Sequence, residues 1–419
     1  MTSPVWHPFT QHGLGEPIPQ IVSASGAWLE CADGRRLLDL ISSWWVITHG
    51  HCEPRIAAAI AAQAGQLDQL IFAGYTHPQA EALARSLVDL TPAGLDHVFF
   101  SDSGSTAVEV ALKMALGHWH NRGAARHRIL VMEHSYHGDT IGAMSIGARG
   151  VFNRAYEPLL FDVATVPFPV AGGEQATLDG LERLCVGPDR PAAFIVEPLI
   201  LGAGGMLVYA PDLLRTMRDI CARHDVLFIA DEVMTGWGRT GTLFACDQAG
   251  IAPDIMCLAK GLTGGMVPMA ATLASGAIFE SHRSTDRARM FFHSSSFTAN
   301  AVSCAAANAN IGIWRTQDVP GRIAALGDAL DAGLASLRGH DALHNPRRIG
   351  AVAAIDLKVA DGGYLSDAAP RLRALFLEAG LLLRPLGNTI YLMPPYCTSR
   401  DEIGSAFAVI GAVVDRLAD

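Results

Sequence analysis

Two ionisable residues at the ends of apolar runs are the first candidates for chemistry in this 419-residue chain. Asp231 closes the run VLFIAD, and Lys260 closes DIMCLAK further along. Between them, ADEVMTGWGRTG (230–241) contains a match to G-x-G-x-x-G at Gly236, Gly238 and Gly241. A dinucleotide-binding fingerprint needs strand, glycines and helix in direct succession. Here Asp231 and Glu232 intervene, and the following TLFACDQAGIAPD has no sustained helical period and is broken by Gly250 and Pro253. The fingerprint fails its context, and the acid is left to explain.

A free lysine amine, with a pKa of about 10.4, is deprotonated only a few parts in ten thousand at neutral pH. It becomes useful when it condenses with an aldehyde cofactor and is then released beside the substrate, where it can move protons. A carboxylate next to a pyridine nitrogen keeps that nitrogen protonated, so the ring accepts electrons. Lys260 and Asp231 fit these two roles. Gly104 and Ser105 follow the strand-like HVFFSDS and open a helix, whose free N–H groups suit a phosphate. Tyr136, after RILVMEHS, supplies an aromatic face. Val233, two positions beyond Asp231, is expected on the same pleat face and covers the other side of the ring.

Singly, each has a plainer reading, since a strand-end Asp caps turns and Gly-Ser before a helix is an N-cap. Their recurrence at successive strand ends points to a pyridoxal 5′-phosphate site. The cluster His49-Gly50-His51-Cys52 lacks helical i, i+4 spacing and an acidic companion, so it reads as a structural loop and no metal is expected.

The elements that must position these residues are legible as well. From about residue 97 to 275, HVFFS, RILVME, AAFIVEP, VLFIADEV, DIMCLAK and AATLAS read as strands, alternating with helical segments such as STAVEVALKMALGHWH and PDLLRTMRDICARH. That alternation predicts an α/β fold, a mostly parallel central sheet with helices on both faces. Ligands of such sheets bind outside the carboxyl ends of the strands, where the candidates lie. Residues 20–40 predict an antiparallel hairpin turning at Asp33-Gly34. After about residue 310 come a helix, the strand AVAAIDLKVA, another helix, the strand pair LLLRPLGNTIYLMPP and a final amphipathic helix. The expected organisation is residues 1–55 and 311–419 as one smaller α+β domain, with 56–310 as the large cofactor-binding domain.

Net charge −10 without a Lys/Arg block gives no footprint for nucleic acid or an anionic membrane surface. No apolar stretch reaches spanning length, and MTSPVWHPFTQHGLGEP lacks the pattern of a signal peptide. Eight scattered cysteines without C-x-x-C suit buried thiols in a reducing, cytoplasmic setting.

The segment FIADEVMTGWGRTGTLFACDQAGIAPDIMCLAKGLTGG resembles the signature of fold-type I, class III pyridoxal phosphate aminotransferases: acid, glycines, Pro-Asp and Lys-Gly occur in order. WHPFTQ, ISSWWVITHGH, SDSGSTAVEVALKMA, SYHGDTIGAMSIG, VEPLILGAGGM and LRPLGNTIYLMPPY resemble the family's biotin-pathway branch along nearly the whole chain.

The resemblance implies amination of 8-amino-7-oxononanoate to 7,8-diaminononanoate, with S-adenosylmethionine as donor and lysine as the alternative. A broader ω-amine:pyruvate or diamine aminotransferase is the rival within the family. It also implies that Lys260 is the cofactor lysine, Asp231 its ring-nitrogen partner, Gly104-Ser105 the phosphate loop and Tyr136 the stacking ring. Trp44 matches an aromatic wall, and Arg384 matches the cation for the acceptor's carboxylate. Arg239 is a second possible anion partner or a structural arginine.

Two departures stand out. Where many members read H-G-P-T-F and supply a phosphate ligand across a two-fold dimer, this chain has His293-Ser294-Ser295-Ser296-Phe297. The resemblance therefore places Ser295 and Ser296 at the cofactor and Ser294 at the substrate, with Ser296 keeping a hydroxyl. Phe9, also at the substrate, stands where some S-adenosylmethionine-using members carry tyrosine, which removes a hydrogen bond of about 1 kcal/mol.

Overall fold

The computed structural model describes residues 3–187, 189–359 and 368–418; Ala360, the last residue of the expected strand AVAAIDLKVA, lies outside them. Its centre is a seven-stranded sheet in the order Leu95–Ser101, Ala270–Ser275, Ile255–Leu258, Leu227–Asp231, Ala193–Val196, Ile129–Met132, Ala164–Val166. Ala270–Ser275 pairs antiparallel with both neighbours, and the other pairings are parallel. The sheet is therefore mostly parallel, as the α/β alternation implies.

Period-2 geometry explains why these short strands are apolar on both sides. Ile129, Val131, Ile195, Ile229 and Ile255 face the helix Gly104–Asn121 through Ala107, Val108 and Ala111. Their neighbours Leu130, Phe194, Phe228 and Met256 point the other way, onto Leu181 and the helix Pro211–Arg223 through Leu214 and Met217. Each such side chain contributes roughly 1.5–3 kcal/mol by leaving water. The result is a rigid platform whose strand ends lie side by side.

The chain's two ends meet. The expected hairpin is a three-strand meander, Ile21–Ser25, Trp28–Cys31 and Arg36–Asp39. Gly26 adds a first turn (φ +58°) before the one at Gly34 (φ +85°). Leu381–Leu382 joins it in parallel with Arg36–Asp39. The expected strand pair LLLRPLGNTIYLMPP is accordingly split: Thr389–Leu392 pairs instead with Val352–Leu357, in a sheet completed by Leu343–Ile349. That last strand escaped the sequence pattern because HNPRR has no alternation and its strand is bulged. The helix Ala301–Thr316 crosses the expected 310/311 boundary and packs on both parts, with Cys304, Ala307 and Ile311 in the cluster of the large sheet and Ala306 and Ile313 in that of the C-terminal strands and helices. No helix among the described residues is long and apolar enough to cross a membrane.

Candidate active site

A cavity opens at the carboxyl ends of the parallel strands, with Lys260 and Asp231 at its floor and Tyr136, Ser105, Phe9 and Arg384 on its walls. It holds about 230 Å³ of water-accessible space and shares Phe152 and Asp139 with two recesses of about 350 and 300 Å³.

Lys260 sits two residues past the strand Ile255–Leu258, at the first position of the 3-10 turn Lys260–Thr263. Its φ of +46° is left-handed, which costs an L-residue roughly 1–2 kcal/mol and persists only where the surroundings impose it. Burial pushes the amine down to about 8, while Asp231 and Glu197 pull it back up. At that value about a tenth is free base at neutral pH, against a few parts in ten thousand for an exposed lysine. The Nζ lies 4.9 Å from the centre of the Trp45 ring.

Asp231 is the last residue of its strand and is buried. Its Oδ1 accepts from the Val233 N–H at 3.1 Å, and its Oδ2 lies 2.7 Å from His137 Nδ1. A carboxylate oxygen accepts, so His137 Nδ1 is the donor of this pair and Nε2 is the ring's other nitrogen. That buried Nε2 has no partner among the described residues. Val233 reaches the cavity from the turn beyond the strand, not from the expected pleat face, because pairing stops at Asp231. Glu197, just past the strand Ala193–Val196, accepts from the N–H groups of Tyr136 and Gly202, both at 3.0 Å. Burial raises its carboxyl to about 7.

At the other end of the floor begins the helix Gly104–Asn121. Ser103 is its true N-cap, in a reciprocal capping box with Thr106. A side chain at Gly104 would meet Val233 Cγ1 at 2.6 Å, and one at Gly138 would meet Ser105 Oγ at 2.1 Å. Backbone therefore approaches where a Cβ would intrude, beside a helix start whose N–H groups point outward. An acid buried against an imidazole, a lysine of lowered basicity, the Tyr136 ring and this glycine-lined helix start form a donor set that fits pyridoxal phosphate.

The SSWW loop carries three strained residues, Ser42 (φ +53°), Ser43 (φ +60°) and Trp45 (φ +64°). Asp39 holds it through the N–H groups of Ile41 at 3.1 Å and Ser43 at 2.6 Å, and also binds His51 Nε2 at 2.7 Å. His49 binds Asn310, so the two histidines are loop supports. Trp44 is half-exposed at the rim, while the buried Trp45 donates to Tyr391 Oη at 2.8 Å and lies beside Lys260. The Arg384 guanidinium lies 5.4 Å from the Trp44 ring centre, donates to the Phe9 carbonyl at 3.0 Å and makes no ion pair among the described residues. Phe9 (φ +48°) packs against Trp44 and Phe152.

Arg239 resolves as the structural alternative. It is buried away from the cavity, donating to the carbonyls of Ile47 (2.7 Å) and Pro394 (3.2 Å). The glycines around it serve turns, with Gly238 (φ +91°) pressed against Ile323 and Trp314. Ser294, Ser295 and Ser296 lie outside the cavity of their own chain, in a surface loop where Ser295 N–H donates to Thr298 Oγ1. His137, Glu197 and Trp45 were absent from the sequence-derived set. Glu197 carried a usable signal, an acid closing AAFIVEP, whereas His137 was masked by its neighbour Tyr136.

The aminotransferase class-III profile matches residues 11–414. An adenosylmethionine-8-amino-7-oxononanoate aminotransferase of Synechococcus elongatus is 46% identical over 99% of both chains. One from Geobacter sulfurreducens is 38% identical over 95% of this chain and 93% of its own. Among solved structures, the enzyme of that name from Methanocaldococcus jannaschii superimposes with a TM-score of 0.94 at 32% identity, covering 99% of this chain and 97% of the other. A PLP-bound amine transaminase from an uncultivated Pseudomonas species gives 0.92 at 32% identity over 99% of each. Spanned by the family profile and matched along its length, this chain belongs to the class III aminotransferases.

Proposed function

We propose that the protein is a pyridoxal 5′-phosphate-dependent aminotransferase that converts 8-amino-7-oxononanoate to 7,8-diaminononanoate for biotin synthesis, with S-adenosylmethionine as amino donor. The observation that carries the chemistry is the shared cavity floor of Lys260 and Asp231, with a helix N-terminus beside it. The substrate assignment rests on relatives of that name matching the whole chain and on Arg384 at the cavity wall.

When bound, the cofactor stores the amino group between the two half-reactions and accepts the electron pair left when a proton departs. Lys260 Nζ would anchor it and, once displaced by the donor's amine, would take the proton from the donor's amine-bearing carbon and pass it to the cofactor; in the return half-reaction it would carry that proton back, to C7 of the acceptor. Its low basicity makes it free to accept at neutral pH. Asp231, oriented by His137, keeps the ring nitrogen protonated. The N–H groups at Gly104 and Ser105 hold the phosphate; Tyr136 and Val233 confine the ring. Phe9 and Trp44 exclude water from the acceptor's chain, and Arg384 pairs with its carboxylate.

Ser294, Ser295 and Ser296 serve the partner's site in a homodimer. The apolar surface beside them, with Phe292, Phe297, Ile71 and Tyr75 each at least 60% exposed, supports that reading. All eight cysteines are free, which supports a cytoplasmic setting.

The test is amination of 8-amino-7-oxononanoate by purified protein with each donor. The diamine is expected with S-adenosylmethionine. Product with lysine alone reassigns the donor, and turnover only with pyruvate as acceptor overturns the substrate assignment in favour of an amine transaminase.

A further inference from the structure

We infer that Asn310, locked by His49, is a positioning residue that holds Lys260 in its working conformation; the inference rests on Lys260 being the cofactor lysine.

The helix Ala301–Thr316 buries an almost wholly small or apolar face, including Ala301, Cys304, Ala305, Ala306, Ala307 and Ile311. Asn310 interrupts that face and is fully buried. A buried amide is unfavourable there unless every polar atom is matched. Here it is matched to one target. Its Nδ2 donates to the carbonyls of Gly261 and Leu262, both at 3.0 Å, the two residues directly after Lys260. Its Oδ1 therefore faces His49 Nε2, at 2.8 Å, and must accept. His49 is thereby fixed as the Nε2–H tautomer, and burial pushes its pKa down to about 4, so it stays a neutral donor. This prevents the amide from turning over and presenting its oxygen to the two carbonyls.

The restraint matters because of where it acts. Lys260 occupies a left-handed conformation that a free peptide would leave. Relaxation of the 260–262 peptides would swing the Lys260 side chain away from Asp231 and Trp45. The second side of the turn is already fixed: a Cβ on Gly261 would lie 2.7 Å from Trp237 Cβ and 3.0 Å from Thr48 Cγ2. Thr48 N–H also donates to the Gly264 carbonyl at 3.3 Å. The Asn310 amide supplies the remaining restraint, from a helix outside the cavity.

The test uses the full-length holoprotein, its Asn310→Leu variant of similar shape, and the pair His49→Gln, which keeps a donor, and His49→Leu, which does not. Loading is read first from the visible absorbance of the lysine-bound cofactor and its borohydride adduct on Lys260. If the unsubstituted protein has neither, the cofactor reading itself fails. If it has both, Asn310→Leu is expected to lower kcat about 10- to 100-fold with KM within about threefold. The pH midpoint of the chromophore should also move by about half a unit or more. That midpoint reports Lys260 among Asp231, Glu197 and Arg239, none of which is changed. His49→Gln should stay near the unsubstituted protein and His49→Leu should follow Asn310→Leu. The inference is overturned if a loaded, thermally stable Asn310→Leu keeps its midpoint and kcat. It is equally overturned, even if Asn310→Leu does not fold, if His49→Gln and His49→Leu are indistinguishable.

Discussion

His137 Nδ1 lies 2.7 Å from Asp231 Oδ2, both groups buried, so this acid of the cavity floor is oriented from behind by an imidazole. Replacing His137 with Leu removes the donor and leaves Asp231 held only by the Val233 N–H. The expected result is a fall in kcat of about 10- to 100-fold with cofactor still bound, measured by turnover and by absorbance of the loaded protein. Unchanged kcat would mean that Asp231 needs no such support.

The lowered basicity of Lys260 has a consequence for stability. Its amine titrates near 8 when folded and at 10.5 ordinarily. Between those values the unfolded chain binds more protons, so this group makes the fold more stable as pH rises. Its destabilising effect is complete below about 8 and fades towards 10.5. Apoprotein carrying Lys260→Met should therefore melt higher than the parent at pH 7, and the difference should shrink across pH 8 to 10.5. Thermal melts at several pH values check this, and a constant difference would contradict it.

Arg384 has no counter-charge among the described residues and is parked on the Phe9 carbonyl and the Trp44 ring. Arg384→Leu should reduce kcat/KM for the carboxylate-bearing acceptor about 10- to 100-fold, the loss of a charged hydrogen-bonded pair. The donor half-reaction, followed alone in single turnover, should change much less. Equal losses in both halves would place Arg384 elsewhere in the chemistry.

Gly104 is needed because Val233 stands where its Cβ would go, 2.6 Å from Cγ1. Gly104→Ala should weaken cofactor binding, read as the concentration of pyridoxal phosphate that restores half the absorbance. Adding Val233→Ala should recover part of that loss, giving a non-additive cycle. Strict additivity would show that the two positions do not share this space.

The residues that the sequence exposed are those at the ends of apolar runs. Asp231 and Lys260 were legible because polar groups recur at the ends of successive apolar runs, and strand ends converge in space. Trp44 and Trp45 both line the cavity, but the buried ring beside Lys260 is Trp45; in a strained loop no periodicity reveals which of two adjacent rings is buried. Asn310 acts through backbone carbonyl groups, which leave no side-chain pattern to read, whereas Glu197 closes AAFIVEP and was open to the same reading as Asp231. Arg239 read equally as an anion ligand or a structural arginine, and its three carbonyl partners make it the latter. The C-terminal strands lie in the expected segments but pair differently, because pairing depends on where the chain's two ends meet, which is tertiary information.

The most direct test of the central claim is borohydride reduction of protein incubated with pyridoxal phosphate, followed by peptide mass mapping. A single cofactor adduct on Lys260, with visible absorbance lost on reduction and absent from Lys260→Met, is the predicted result. A colourless protein, or an adduct on another lysine with Lys260 unmodified, would contradict the account.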